Sequence, residues 1–293
     1  VASTAAARVS VTIATLLTAL VTARFLGPAG RGVLVAAVTW VTTFSTFGHL
    51  SLGAVVLHVA AGKPREEWLP ETLGALGAIA ACIAGAGFAV AAILYEATGG
   101  QMYGHVPPLA LLLGFLALPA LIVFELGSGV LVSAGKLGVL NLIQLGGAIV
   151  TLLLTLLTVA ALRLGAGGAI AAYSASQALI GGAVALYLVH LAGGVAVHRA
   201  VIRRLMSGGA RLHLNAIGAF LTTQANVLLL NYYRSPSETA WYQLAGQIVV
   251  AMQIVSIAAG SVTSSLVSRL GADAAWPRQR RLLLGALALM AAA

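Results

Sequence analysis

The chain predicts an all-α, polytopic membrane protein with eight full transmembrane helices, a truncated ninth, and a two-lobe, six-plus-six transporter architecture. Three observations carry this expectation. The 293 residues are 60% hydrophobic, only 8% are Asp, Glu, Lys or Arg, and the mean hydropathy is +1.01; a soluble domain carries about 25% charged residues. The apolar stretches are long enough to cross a bilayer, since about 30 Å of hydrocarbon at 1.5 Å per residue needs roughly 20 residues. Nearly every charge falls in a short gap between those stretches. In hydrocarbon only a helix or a closed barrel satisfies its own backbone, and the alternating pattern of barrel strands is absent.

The first span is predicted over 5–26, where the run from Ala5 to Phe25 carries almost no ionisable group. Gly27-Pro28-Ala29-Gly30 then punctuates the chain as a turn. The second span covers 33–60 and the third 71–94, on the apolar runs Val33 to Gly62 and Leu73 to Leu94. The fourth covers 108–134; Pro119 inside it frees a carbonyl and bends the helix. The fifth and sixth cover 138–161 and 168–192. The next stretch, 197–210, contains His198, Arg199, Arg203, Arg204 and Met206 and reads as an amphipathic cytoplasmic linker on the inner leaflet. The seventh and eighth spans cover 211–233 and 239–268. The closing LLLGALALMAAA is too short to span and is expected to begin a ninth helix of a longer chain. The domains expected are a six-helix lobe at 1–196, the linker at 197–210, and an incomplete second lobe at 211–293. Arg8 and Arg211 each precede an apolar run and a short turn, near Pro28 and Pro236, a spacing that suggests a parallel repeat.

Orientation follows from the basic residues. With the N-terminus inside, the cytoplasmic side receives Arg8, Lys63, Arg65, Lys136, Arg199, Arg203, Arg204, Arg211, Arg269, Arg278, Arg280 and Arg281; the outer side receives Arg24, Arg31, Arg163 and Arg234. The cytoplasm is the basic side. The formal charge of +9 therefore reads as topology and attraction to anionic lipid. It does not read as nucleic-acid binding, because no dense basic face with interleaved aromatics exists. The single cysteine, Cys82, lies in an apolar run and reads as packing.

Catalysis and resident metals are not expected. There is no G-x-S-x-G, no H-x-x-x-H and no acidic pair such as D-x-x-D, and Asp273 is the lone aspartate. No Walker A sequence is present. No cofactor is expected. The residues of interest are instead polar groups inside spans. Arg24, Arg8 and Arg31 each admit two readings, a snorkelling interfacial anchor or a cation that holds a phosphate, and for Arg31 the anchor is the expectation. In the second span Thr42, Thr46 and His49 share one face, and Thr39 and Thr43 another. Hydroxyls satisfied by their own helix carry little information, but His49 is a candidate cavity residue. Glu125 in the fourth span is a candidate coupling carboxylate or a structural hydrogen-bond donor. The seventh and eighth spans are the most polar, with Gln224 and Asn226 on one, and Gln243 and Gln247 one turn apart on the other. Such amides are either interhelical glue or the wall of a wet cavity.

Ala23-Arg24-Phe25-Leu26-Gly27-Pro28-Ala29-Gly30-Arg31-Gly32 resembles the A-R-x-L-G-P-x-G-x-G turn of polysaccharide biosynthesis proteins. These are lipid-linked oligosaccharide flippases of the O-antigen and capsule type, within the multidrug/oligosaccharidyl-lipid/polysaccharide exporter superfamily. Thr223 to Gly246 resembles their seventh-helix pattern, with Tyr242 and Ala245 matching the end of G-x-Y-x-x-A, and Gly135-Lys136 resembles the turn after their fourth helix. Gln224 and Asn226 stand where the family has Arg and Asp, and Ala240 where it has Gly.

The resemblance implies two six-helix lobes around a central cavity, lined mainly by helices one, two, seven and eight, that opens to each side in turn. The implied function is flipping of an undecaprenyl-pyrophosphate-linked glycan across the bacterial cytoplasmic membrane, with the N-terminus cytoplasmic. Arg24, Arg8, Arg211, His49, Gln224, Asn226, Gln243 and Gln247 are the implied substrate-binding candidates. Membrane lipids, and the polymerase and glycosyltransferases of the pathway, are the implied partners; nucleic acid is not. The alternatives are a multidrug/cation antiporter of the related class, which would favour acidic cavity residues, and an integral membrane enzyme of envelope lipid assembly.

Overall fold

A computed structural model describes residues 2–61 and 63–252. The far part of the eighth predicted span, at 253–268, and the ninth lie outside the described residues. Every regular element among the described residues is helical. In chain order they are α1 (Ala2–Gly48), α2 (Leu52–Ala60), α3 (Arg65–Thr98), α4 (Pro108–Phe115), α5 (Leu118–Ser133), α6 (Leu137–Thr155), α7 (Gly165–Ala192), α8 (Arg199–Thr223), α9 (Ala225–Tyr233) and α10 (Pro236–Met252). Among the described residues five helical segments are long and apolar enough to cross a membrane: Ala6–Ala60, Arg65–Thr98, Pro108–Ser133, Leu137–Ala161 and Gly165–Ala192.

The first of these holds 55 residues, which as one straight rod would reach about 80 Å. It is not straight. Gly27 leaves helical geometry at φ 66°, ψ 178° and Pro28 follows it, a φ that glycine adopts without penalty. The Arg31 guanidinium reaches back to the Ala19 carbonyl and the Thr22 hydroxyl. Arms 2–26 and 28–48 are therefore folded into a hairpin at the predicted turn. The second arm is interrupted again at 49–51, where Leu50 and Ser51 take left-handed φ values of 49° and 52°.

The bend expected from Pro119 lies between α4 and α5. Leu116 and Ala117 hold the step through amide bonds to Leu112 and Gly114 carbonyls. Continuing α6, residues 156–161 form one π-helical stretch. The third span is longer than predicted, because α3 starts at Arg65 and carries Pro70 in its second turn. Stretch 197–210 and the seventh span also differ from expectation, since α8 runs unbroken from Arg199 to Thr223. No proline interrupts 199–223, and Gly208 and Gly209, which disfavour a helix by about 1 kcal/mol each, are packed closely against Val55, Leu52 and Leu50. Helices α8 to α10 are not among the five strongly apolar segments. Arg211, His213, Asn215, Gln224 and Asn226 lower their hydropathy, and α10 is described only as far as Met252.

The core is one apolar cluster joining α1, α2, α3, α5 and α7, with Val41, Leu52, Leu118, Ile122, Leu131 and Ile170 fully buried. Gly53 of α2 and Gly129 of α5 meet backbone to backbone, so a Cβ on Gly129 would overlap Gly53. Small residues permit such close crossings where lipid supplies no hydrophobic drive. Cys82, expected to pack, lies on the exposed side of α3. Lipid is as apolar as the interior, so an apolar run does not mark which face turns inward.

Helices α8 and α10 both pack against α1, and α8 also meets α2 and α3. At the Gly27 end, Gly32 touches the Pro236 backbone so closely that no Cβ fits between them. Beside Pro236, Ser235 and Glu238 form a reciprocal capping box on α10: Ser235 N–H and hydroxyl each donate to the carboxylate at 3.0 Å, and Glu238 N–H donates to Ser235 Oγ at 3.3 Å. The Ser235 backbone N–H, and then its hydroxyl, hold the Glu238 carboxyl below its ordinary range. The cap is thus present above the ordinary carboxylate range and lost as pH falls through the depressed value.

Loop residues 101–105 dock on the same end. Tyr103 is fully buried, stacks edge-on against Trp40 with centroids 4.8 Å apart, and donates to the Ala91 carbonyl at 2.8 Å. Burial pushes its phenol up to about 12, so it stays a donor. Asn231 of α9, 1% exposed, donates from Nδ2 to the Tyr103 carbonyl at 2.8 Å. Replacing Asn231 by Leu leaves that carbonyl unpaired and should cost about 1–3 kcal/mol, read as a lowered unfolding midpoint in detergent; an unchanged midpoint would show that the loop is not anchored there.

Candidate functional site

A cavity of ≈ 550 Å³ lies between the α1 hairpin and helices α6, α7 and α10, with Phe124 of α5 and the α8–α9 break also in its lining, within the size range of small-ligand pockets. The two arms of α1 contribute antiparallel polar faces, Thr15, Thr18 and Thr22 on one and Arg31, Thr39 and Thr42 on the other. Opposite them stand Gln144, Thr151 and Thr155 of α6, and Tyr173 and Gln177 of α7. Gln224, at the break between α8 and α9, and Gln243 and Gln247 of α10 complete the wall.

Six of the seven threonines in the lining donate their hydroxyl protons to their own helices. Thr15, Thr18, Thr39 and Thr151 each donate to the carbonyl four residues earlier at 2.8–2.9 Å, Thr42 donates to Thr39 at 3.0 Å, and Thr22 to Thr18 and Ala19. Their remaining lone pairs are acceptors, so this part of the wall is studded with oxygen.

Arg31 is the cation of the lining. It is 2% exposed, held by neutral groups: the Ala19 carbonyl and the Thr22 hydroxyl at 3.2 Å on one amino group, and the Gln243 and Gln247 Oε1 atoms at 2.7 Å and 3.1 Å on the other. Its buried Nε has no partner among the described residues. No carboxylate among the described residues contacts it; the ion pairs there are Arg65–Glu66 and Glu71–His198. A buried guanidinium without an acid is costly, and in a membrane such a charge marks a site. The reading of Arg31 as an interfacial anchor is corrected here. From sequence, a cation four residues past a Gly-Pro turn is indistinguishable from an anchor. Only the hairpin, and the arrival of α10 through Gly32, bury it.

The sequence-predicted residues divide into two sets. Gln224, Gln243 and Gln247 line the cavity. Arg8 and Arg24 are exposed and outside its lining. Asn226 is exposed and donates to the Tyr242 hydroxyl at 2.9 Å. Glu125 is on an exposed side of α5 and forms no ion pair among the described residues. Arg211 is placed within α8. His49 lies outside the lining, beside His213, with ring centroids 5.6 Å apart.

Sequence reading missed Thr15, Thr18, Thr22, Gln144, Thr151, Tyr173 and Gln177. The signal existed as helical spacing of polar residues in spans one, five and six. The wall is accordingly richer in α6 and α7, and poorer in the seventh and eighth spans, than the resemblance implied. Among the described residues no cluster of three or more His, Cys, Asp or Glu could hold a metal.

Long apolar helices enclosing a polar, cation-bearing cavity define a polytopic membrane protein of the transport type. The chain belongs to the polysaccharide biosynthesis protein family, which it matches over residues 1–267. No curated protein and no solved structure matches it. Its role is therefore in polysaccharide biosynthesis and transport, as a membrane protein.

Proposed function

We propose that this protein flips an undecaprenyl-pyrophosphate-linked glycan across the bacterial cytoplasmic membrane, and that Arg31 holds the pyrophosphate. The observation that carries the reading is Arg31, a buried guanidinium held only by neutral oxygens and with an unused Nε–H among the described residues. A dianionic headgroup passing through low-dielectric surroundings needs a cationic partner; the unused Nε–H offers one charge-assisted bond to a phosphate oxygen, and a bidentate contact requires Gln243 or Gln247 to yield a second. The glycan lies against threonine oxygens and amides, while the polyprenyl tail stays in lipid. Arg24 at the Gly27 end, and Arg8 and Arg211 on the other side, attract the headgroup on approach. The cavity lining includes no acidic residue among the described residues, which favours an anionic headgroup over the cationic substrate of an antiporter.

In this reading the α1 hairpin makes two crossings and the architecture is the two-lobe, six-plus-six transporter arrangement. The N-terminus is cytoplasmic. Single cysteines placed beside Arg163 and Arg234 should react with an impermeant thiol reagent from outside, and one beside Arg203 should not. Labelling of all three from one face would overturn the orientation. The function itself is tested by expressing the full-length protein in cells lacking their own flippase and measuring surface glycan against membrane protein level. Absence of rescue across a panel of lipid-linked glycans, with the protein at normal abundance, would remove the flippase reading.

A further inference from the structure

The break in the second arm of α1 carries a side-chain cluster that substrate binding does not use. Ser51 N–H donates to His49 Nδ1 at 3.0 Å, closing the turn through Leu50 and Ser51. Ser51 Oγ lies 3.3 Å from Nδ1 of His213 on α8, and His213 is buried with its Nε2 unpartnered among the described residues. Two consecutive non-glycine residues with left-handed φ are a strained arrangement that persists only when its surroundings hold it. Here the holding contacts come from α8. Gly208 and Gly209 approach Val55, Leu52 and the Leu50 carbonyl with no room for a Cβ, and Phe47 meets Phe220 edge-on with centroids 5.5 Å apart. The cluster sits at the end of the second arm opposite Arg31, where it fastens the α1–α2 break to α8.

We infer that His49, Ser51 and His213 form a proton-binding latch between the α1–α2 break and α8, and that loading it with protons parts these helices. The hydrogen-bond inventory gives the reason. His49 Nδ1 must offer a lone pair to receive the Ser51 N–H, so a proton there replaces an acceptor with a donor and abolishes the bond that closes the turn. His213 is poised too: whichever tautomer faces Ser51, one buried ring nitrogen lacks a partner. Two imidazolium rings at this separation also repel. The ionisable groups on the neighbouring elements are Arg199, Arg203, Arg204 and Arg211 on α8, His58 on α2, Glu125 on α5, and Arg65, Glu66, Glu67, Glu71 and Glu96 on α3. Among the described residues no carboxylate forms an ion pair with either histidine. Histidine is the side chain whose charge changes nearest neutral pH. The coupling of transport to protons that follows rests on the flippase reading; the latch itself does not.

The test places spin labels at Leu57→Cys on α2 and Leu214→Cys on α8, both exposed, with Cys82→Ala, in the full-length protein reconstituted in lipid nanodiscs. Between about pH 8 and about pH 5 the distance distribution should gain a component longer by about 5 Å, a one-turn displacement. His49→Gln keeps an acceptor for Ser51 N–H but cannot titrate, so it should hold the short distance at every pH. His213→Gln should shift or remove the transition, and the double variant should be pH-independent. A pH-invariant distance with both histidines present overturns the latch, as does an unaltered transition in a folded double variant. Glycan rescue is measured separately: failure of rescue with the pH-dependent distance intact removes the flippase reading and leaves the latch.

Discussion

Arg31→Gln is expected to lower glycan export by about tenfold to a hundredfold, the range for losing one to two charge-assisted hydrogen bonds, with the protein still present at normal abundance. The two halves of that result belong together. The guanidinium is buried among neutral oxygens without an acid in contact among the described residues, so the shorter, neutral amide of glutamine removes a desolvated charge and breaks no ion pair. Stability should hold or rise. A residue kept only for packing would show the reverse, unchanged export with lower stability. Arg31→Lys retains charge without the planar fork and should retain part of the activity. Arg24→Gln is the informative comparison, because Arg24 is exposed and outside the cavity lining. If export falls for Arg24→Gln and not for Arg31→Gln, the phosphate contact belongs at the mouth and the buried arginine is structural. The readout is surface glycan per membrane protein in flippase-deficient cells, beside the unfolding midpoint of each purified variant.

Gly32→Val should abolish export by a different route. A Cβ at position 32 falls on the backbone of Pro236, and backbone cannot rotate aside as a side-chain tip would. Accommodating it costs about 1–3 kcal/mol as overpacking, or α10 moves off α1. Either response withdraws Gln243 and Gln247, which hold one amino group of Arg31. Gly146→Val, on α6 with open space around it, is the control and should leave export within about twofold, since away from packed features substitutions stay within about 0.5 kcal/mol. Equal behaviour of the two variants would show that the α1–α10 contact is not needed.

The spans were legible in the sequence because hydrocarbon imposes one rule on every residue, and length with apolarity states it directly. Gly27-Pro28 and Pro119 were legible for the same kind of reason: each acts on its own backbone. The unbroken α8 was not, since Gly208 and Gly209 at its basic-to-apolar boundary read as a break, and their packing against Val55, Leu52 and Leu50 depends on residues about 150 positions earlier. Of the site, Gln224, Gln243 and Gln247 were legible as amides crowded into spans. Arg31 was not, because its burial depends on a helix more than two hundred residues away. Thr15, Thr18 and Thr22 were passed over because a threonine bonded to its own helix looks alike on a lipid face and on a cavity wall.

The hairpin at Gly27 also sets an order of assembly. Arg31 lies near its tip and leaves the ribosome long before its furthest partner, Gln247, 216 residues on. At about 5–20 residues per second, the guanidinium waits roughly 10–40 s for the amides of α10. During that interval its partners are those of its own hairpin, the Ala19 carbonyl and Thr22 hydroxyl. Those two contacts act as a temporary berth, letting the first sixty residues settle in the bilayer with a charge aboard before the rest of the chain exists.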